Sequence, residues 1–152
     1  MSEVRTSIEI DAPPEVVFDI ALDPQRLGDW VTIHRELLSA DSGPPRAGME
    51  MQQRMSLRGA AFKVSWELVA CERPLHAEWK GRGPARSKAE TEYTLEALPD
   101  GGTRFSYRND FKAPLGPLGA VAGNALVGGV PEKEAIASLQ ALKELVESTH
   151  AK

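Results

Sequence analysis

A chain of 152 residues with 26% charged side chains fits one domain, residues 1–152, and at this length a fold buries roughly 68–70% of the surface its unfolded chain exposes, enough for a core and a cavity. The net charge of −4 mixes both signs and shows no basic stripe, which excludes nucleic acid as the expected partner. A single cysteine, Cys71, excludes an internal disulfide, and no signal-type segment or apolar run of the roughly eighteen residues a membrane span takes is present, so the expected setting is cytoplasmic, with no membrane span.

Val4, Thr6, Ile8 and Ile10 alternate with Arg5, Ser7 and Glu9, the period of a strand with one buried face. Asp11-Ala-Pro-Pro-Glu15 then starts a helix. Proline is harmless in a first turn, and Glu15 sits at the positive end of the dipole; Val16, Val17 and Ile20 form its apolar side. Asp23-Pro24 repeats the device and opens a second short helix that ends near Gly28 and leads to Trp30.

Six strands follow, with predicted spans Thr32 to Ala40, Gly48 to Leu57, Ala61 to Ala70, Leu75 to Lys80, Ala85 to Ala97 and Thr103 to Phe111. Turn residues part them, among them Arg58-Gly59, Arg73-Pro74, Gly81-Arg-Gly-Pro84 and Pro99-Asp-Gly-Gly102. Links this short permit only antiparallel pairing. The last element is a helix from Pro131 to about Ser148, prolonged upstream through Leu118 to Val127, with a kink or fresh start at Gly128-Gly129-Val130-Pro131. Ala135, Ile136, Leu139, Leu142 and Val146 share one face of it. That stripe has to lie on something, and the strands offer the surface once the sheet twists and curls. The expected class is α+β: a seven-stranded curved antiparallel sheet wrapped around a long C-terminal helix, with two short helices after strand 1.

The apolar side of that sheet presents Met51, Met55, Phe62, Trp66, Trp79 and Phe111 towards the helix. Any one of these is core filling, yet tryptophans and adaptable methionines grouped along one wall favour a flat or greasy molecule. Gln53, Thr91, Tyr93, Tyr107 and Asn109 fall on the same side. A polar group in a dry core costs roughly 1–3 kcal/mol unless paired, so these five imply either internal hydrogen bonds or a wet cavity. Tyr107 and Asn109 suit the orientation of a carbonyl or hydroxyl, and Tyr93 suits a weak acid.

Of the three histidines, His34 is placed at a cavity entrance, His76 on the charged sheet face and His150 in the tail. No pair has metal-ligand spacing, so no metal is expected, and nothing suggests a cofactor. Nucleophile elbow, phosphate loop and buried carboxylate pair are all lacking. Catalysis would rest on His34, Tyr93, Tyr107 or Asn109.

The stretch Ser7-Ile-Glu-Ile-Asp-Ala-Pro-Pro-Glu-Val-Val-Phe18, the Asp23-Pro24 helix start leading to Trp30, and the ending Ser138-Leu-Gln-Ala-Leu-Lys143 resemble the START and birch-pollen-allergen superfamily, also labelled SRPBCC or polyketide cyclase/dehydrase. The resemblance covers essentially the whole chain. It implies the helix-grip fold, in which sheet and helix leave a deep, largely apolar cavity for a ligand. That family has no shared catalytic motif, so fold does not convert to function. The expected function is binding of a small hydrophobic or aromatic molecule, such as a lipid or polyketide, at Trp30 and the sheet residues named above. The alternative is a polyketide cyclase, aromatase or dehydratase using the same cavity; a protein-binding helper would instead need an exposed apolar patch. Binding is favoured because no acid, base or nucleophile can be identified.

Overall fold

The computed structural model describes residues 2–57, 59–112 and 130–150. In chain order these form β1 (Ser2–Ile10), α1 (Pro14–Ala21), a 3-10 turn (Pro24–Arg26) running into α2 (Leu27–Trp30), β2 (His34–Ala40), β3 (Glu50–Leu57), β4 (Ala60–Glu72), β5 (His76–Arg82), β6 (Lys88–Ala97), β7 (Thr103–Lys112) and α3 (Val130–His150). The seven strands make one antiparallel sheet in the order β1-β7-β6-β5-β4-β3-β2. Chain neighbours pair from β2 to β7, and β1 closes the far side against β7. Register shifts in the β2–β3 and β4–β5 ladders are bulges of the kind that bend a sheet.

The short helices start as their sequences dictate. Pro14 occupies the first turn of α1 with Glu15 beside it, and the Asp23 carboxylate accepts the Gln25 N–H at 3.0 Å. α2 runs past Gly28 to Trp30, two residues beyond the sequence expectation. A second difference concerns β6, which begins at Lys88 rather than at Ala85. Pro84–Arg86 form a 3-10 turn instead, held by the Ser87 hydroxyl donating to the Pro84 carbonyl at 2.8 Å, and Arg86 adopts a left-handed φ of 68°. Proline has no N–H for a ladder, which explains why pairing waits until the turn is complete. The expected extension through Leu118 to Val127 and the Gly128-Gly129 kink lie outside the described residues.

α3 packs along β1 and against α1 and α2. Leu139, Leu142 and Val146 are buried with Ile10, Phe18, Leu22 and Phe105. Two polar contacts fix the helix lengthwise: Lys143 Nζ donates to the Glu9 carbonyl at 2.9 Å, and the Glu147 carboxylate accepts the Asp11 N–H at 2.8 Å. The stripe read from spacing is wider than the face that is covered, for Ile136 is 51% exposed. Among the described residues, no helix is long and apolar enough to cross a membrane.

Burial therefore separates two residues that spacing alone treats alike. Leu142→Ala should cost about 2–5 kcal/mol in urea unfolding, whereas Ile136→Ala should stay within about 0.5 kcal/mol of wild type. Equal costs would contradict the packing described.

Candidate functional site

The concave side of the sheet does not close on the helices everywhere. It leaves a cavity of about 400 Å³, within the range of roughly 300–1,000 Å³ occupied by small-molecule sites. Because side chains alternate across a strand, pairs in register share one wall. Met51 faces Trp66, Gln53 faces Val64 and Met55 faces Phe62 across β3 and β4. Trp79 of β5 lies beside Thr91 of β6. Across β6 and β7 stand the pairs Ala89 with Phe111, Thr91 with Asn109, and Tyr93 with Tyr107. Trp30 of α2 and Glu134, Ala135, Ser138 and Leu139 of α3 form the opposite side.

The twelve side chains expected to meet a ligand thus border the cavity. The helix-borne lining residues, such as Leu22, Leu27, Ser138 and Leu139, were not singled out, because strand alternation carries no signal for them. Correction is needed for His34, which is not part of the lining and stands behind Gln53.

The Gln53 side chain settles the hydrogen-bonding state of its neighbours. Trp66 Nε1 lies 2.9 Å from Gln53 Oε1, and Gln53 Nε2 lies 2.8 Å from His34 Nδ1. An indole nitrogen only donates, so the amide oxygen must face Trp66 and the amide NH₂ must face His34. His34 Nδ1 then accepts, which makes the ring the neutral tautomer protonated at Nε2. Burial acts in the same direction, pulling the His34 pKa below its ordinary value. Trp66 in turn lies flat against Gly81, where an added Cβ would come within 2.7 Å of its ring.

On the β6–β7 wall the Thr91 hydroxyl donates to Asn109 Oδ1 at 3.1 Å. The Tyr93 and Tyr107 rings stack at 6.1 Å between centroids, and Trp30 meets Tyr93 edge-on, also at 6.1 Å. Neither tyrosine hydroxyl has a hydrogen-bond partner among the described residues. Burial pushes both phenols well above their usual pKa, so they remain protonated. At the helix side, Ser138 Oγ accepts the Thr32 N–H at 3.0 Å, and the Thr32 hydroxyl donates to the Glu134 carboxylate.

The other ionisable cluster lies on the outer sheet face. His76, Glu78 and Glu92 bring their ligand atoms within 4.8 Å, but the Glu92 carboxylate is already bonded to His76 at 2.7 Å and to Arg108 at 3.1 Å. Those bonds, with His76 first, hold Glu92 below the usual carboxylate range. Chemically, the cavity is an apolar hollow with one polar wall bonded within itself and one wall whose donors have no partner among the described residues.

The family described as polyketide cyclase/dehydrase and lipid transport matches residues 1–147. Among individual proteins, Toxin Rv0910 of Mycobacterium tuberculosis is 25% identical over 134 residues, covering 87% of this chain and 92% of that protein. Solved structures share the fold, two of them as follows. TTHA0849 from Thermus thermophilus has a TM-score of 0.79 at 21% identity, covering 97% of this chain and 99% of that one. Ara h 8.0201 has a TM-score of 0.64 at 14% identity, covering 97% and 98%.

The state of His34 gives a pH dependence with a defined sign. The folded chain holds His34 neutral while the unfolded chain protonates it near its ordinary value of about 6.5, so the unfolded state binds more protons below that pH. Stability should be intact above about pH 6.5 and fall below it as Nδ1 is protonated and the Gln53 contact is lost. Urea unfolding at about pH 7.5 and about pH 5.5 should show a larger loss for wild type than for His34→Gln. An equal loss in both proteins would contradict the assigned tautomer.

Proposed function

The chain belongs to the polyketide cyclase/dehydrase and lipid transport family, and from that premise we propose that it binds one small hydrophobic or aromatic molecule in the cavity between sheet and C-terminal helix. The observation that supports this most is the cavity itself, about 400 Å³ of mainly apolar space walled by tryptophan, methionine and tyrosine. Trp30, Met51, Met55, Phe62, Trp66, Trp79 and Phe111 supply contact area in this reading, and Gln53, Thr91, Tyr93, Tyr107 and Asn109 supply orientation. Burying about 400 Å² of apolar ligand surface yields roughly 10 kcal/mol gross, against association costs of about 4–15 kcal/mol. A micromolar complex, worth about −8 kcal/mol, then needs only a few polar contacts in addition.

A cyclase, aromatase or dehydratase working in the same cavity needs a base as well as donors. Tyr93 and Tyr107 are held protonated, His34 stands outside the lining, and the Glu134 carboxylate is bonded to Thr32. Residues 113–129 contain no ionisable side chain. These facts favour carriage or sensing of a ligand over its conversion, and the reading requires neither metal nor cofactor. With Cys71 a free thiol, a reducing cytoplasm suits the chain.

The uncharged dye N-phenyl-1-naphthylamine tests the reading. Its fluorescence should rise and saturate at one dye per chain. Ala89→Trp, which places an indole in the cavity, should weaken binding by at least about tenfold while the thermal midpoint stays near that of wild type. No uptake by wild type, or equal uptake by the folded variant, would refute occupancy of this cavity.

A further inference from the structure

The polar groups around the cavity are unequally satisfied. On the β3–β4 wall, Trp66, Gln53 and His34 form a chain in which the indole N–H and His34 Nδ1 each have a partner and both ends of the Gln53 amide are engaged. On the β6–β7 wall the bonding stops short. Asn109 Oδ1 is taken by the Thr91 hydroxyl, so what that amide still offers is its NH₂. Two residues along the same face of β7 stands Tyr107, with Tyr93 directly across the ladder, and neither hydroxyl has a partner among the described residues. Trp30, 3% exposed and edge-on to Tyr93, adds an indole N–H that likewise has no acceptor among the described residues.

Every group left over can donate. An amide NH₂ and an indole N–H only donate, and a phenol that stays protonated always has a proton to give. Unpaired donors in an apolar enclosure are costly, and their cost is removed by a molecule bringing an acceptor to the same place. An ammonium or guanidinium would add donors to these donors, and the single carboxylate of the described lining, Glu134, is already bonded to Thr32. A saturated hydrocarbon would leave the donors unpaired, and a carboxylate would have to give up its hydration in a mainly apolar cavity, with Lys88 as the single cation of the described lining to offset that cost.

We propose that Tyr93, Tyr107 and Asn109 form a subsite for a carbonyl-type oxygen, so that the occupant is a flat, uncharged, conjugated ketone or quinone-like molecule with that oxygen on β6–β7 and its apolar frame against Trp79 and Phe62. This rests on the cavity reading and narrows it to a chemical class. The stacked tyrosines, directly across the β6–β7 ladder from each other, provide a flat wall for a conjugated ring system, each ring carrying a hydroxyl. The Gln53 wall, its amide already bonded at both ends, offers less, and that inequality sets which end of the ligand goes where.

Two probes of nearly equal shape separate the subsite from the cavity. 2-Acetylnaphthalene carries the carbonyl and 2-ethylnaphthalene lacks it, and each competes with bound N-phenyl-1-naphthylamine. Wild type should be displaced by the ketone at about 3–10-fold lower concentration than by the hydrocarbon, the ratio expected from one or two net hydrogen bonds. Tyr93→Phe combined with Tyr107→Phe keeps both rings and should erase the preference by weakening the ketone alone. If the double variant does not fold, the two single variants and Asn109→Ser read the same ratio. Equal displacement of wild type by the two probes, or a preference that survives removal of the hydroxyls, overturns the subsite while leaving the cavity reading intact. Failure of the dye to bind wild type overturns both.

Discussion

Everything in this fold depends on where the apolar stripe of α3 finds cover. Leu139, Leu142 and Val146 are buried against Ile10, Phe18 and Phe105, and the Lys143 and Glu147 contacts to the β1–α1 corner set the helix lengthwise. A single antiparallel sheet can cover such a stripe only by curling, and a curled sheet touches a straight cylinder along part of its face. Contact is made with β1, beside β7 and the short helices. Further across the sheet the described surfaces part, and the side chains of β3 to β6 that alternate inward meet no helix among the described residues. The cavity is thus a geometric consequence of gripping a helix with one sheet.

Space alone does not select a ligand; the polar groups facing it do. Gln53 is oriented by a donor that cannot accept and by a histidine that must accept, which leaves its wall self-sufficient. Two strands away the same physics gives the opposite result, because Thr91 occupies the acceptor on Asn109 and nothing among the described residues occupies the donors of Tyr93 and Tyr107. Burial keeps those phenols protonated, which suits them to hold an oxygen and not to remove a proton. That difference between the walls gives the cavity a direction.

Strand alternation made the cavity wall legible from the residues alone, since the period of two assigns Met51, Trp66, Thr91, Tyr93 and Tyr107 to one face whatever the exact strand ends. Gln53 stood out as a polar residue on an apolar face, but its partners could not be read. Bonding it to Trp66 and His34 needs the register of two ladders, one of them shifted by bulges that leave no local mark. His34, a candidate for the cavity mouth by its place at a strand start, stands instead behind Gln53. Trp30 apart, the contribution of α2 and α3 is also hidden, because helical spacing defines a stripe without fixing its width or what meets it: Ile136 lies on the stripe and is half exposed, while Ser138 faces the cavity bonded to Thr32. At β6 the start was misread because Pro84 closes a turn there, pairing deferred until the proline's missing N–H is passed.

The central claim is that a small uncharged molecule occupies this cavity, and native mass spectrometry of gently purified protein, followed by organic extraction and chemical identification of what dissociates, addresses it most directly. The account predicts one molecule per chain, extractable into organic solvent, flat and bearing a carbonyl-type oxygen. A chain that stays at its bare mass after purification, and after exposure to a lipid-soluble extract of its own cells, would contradict it.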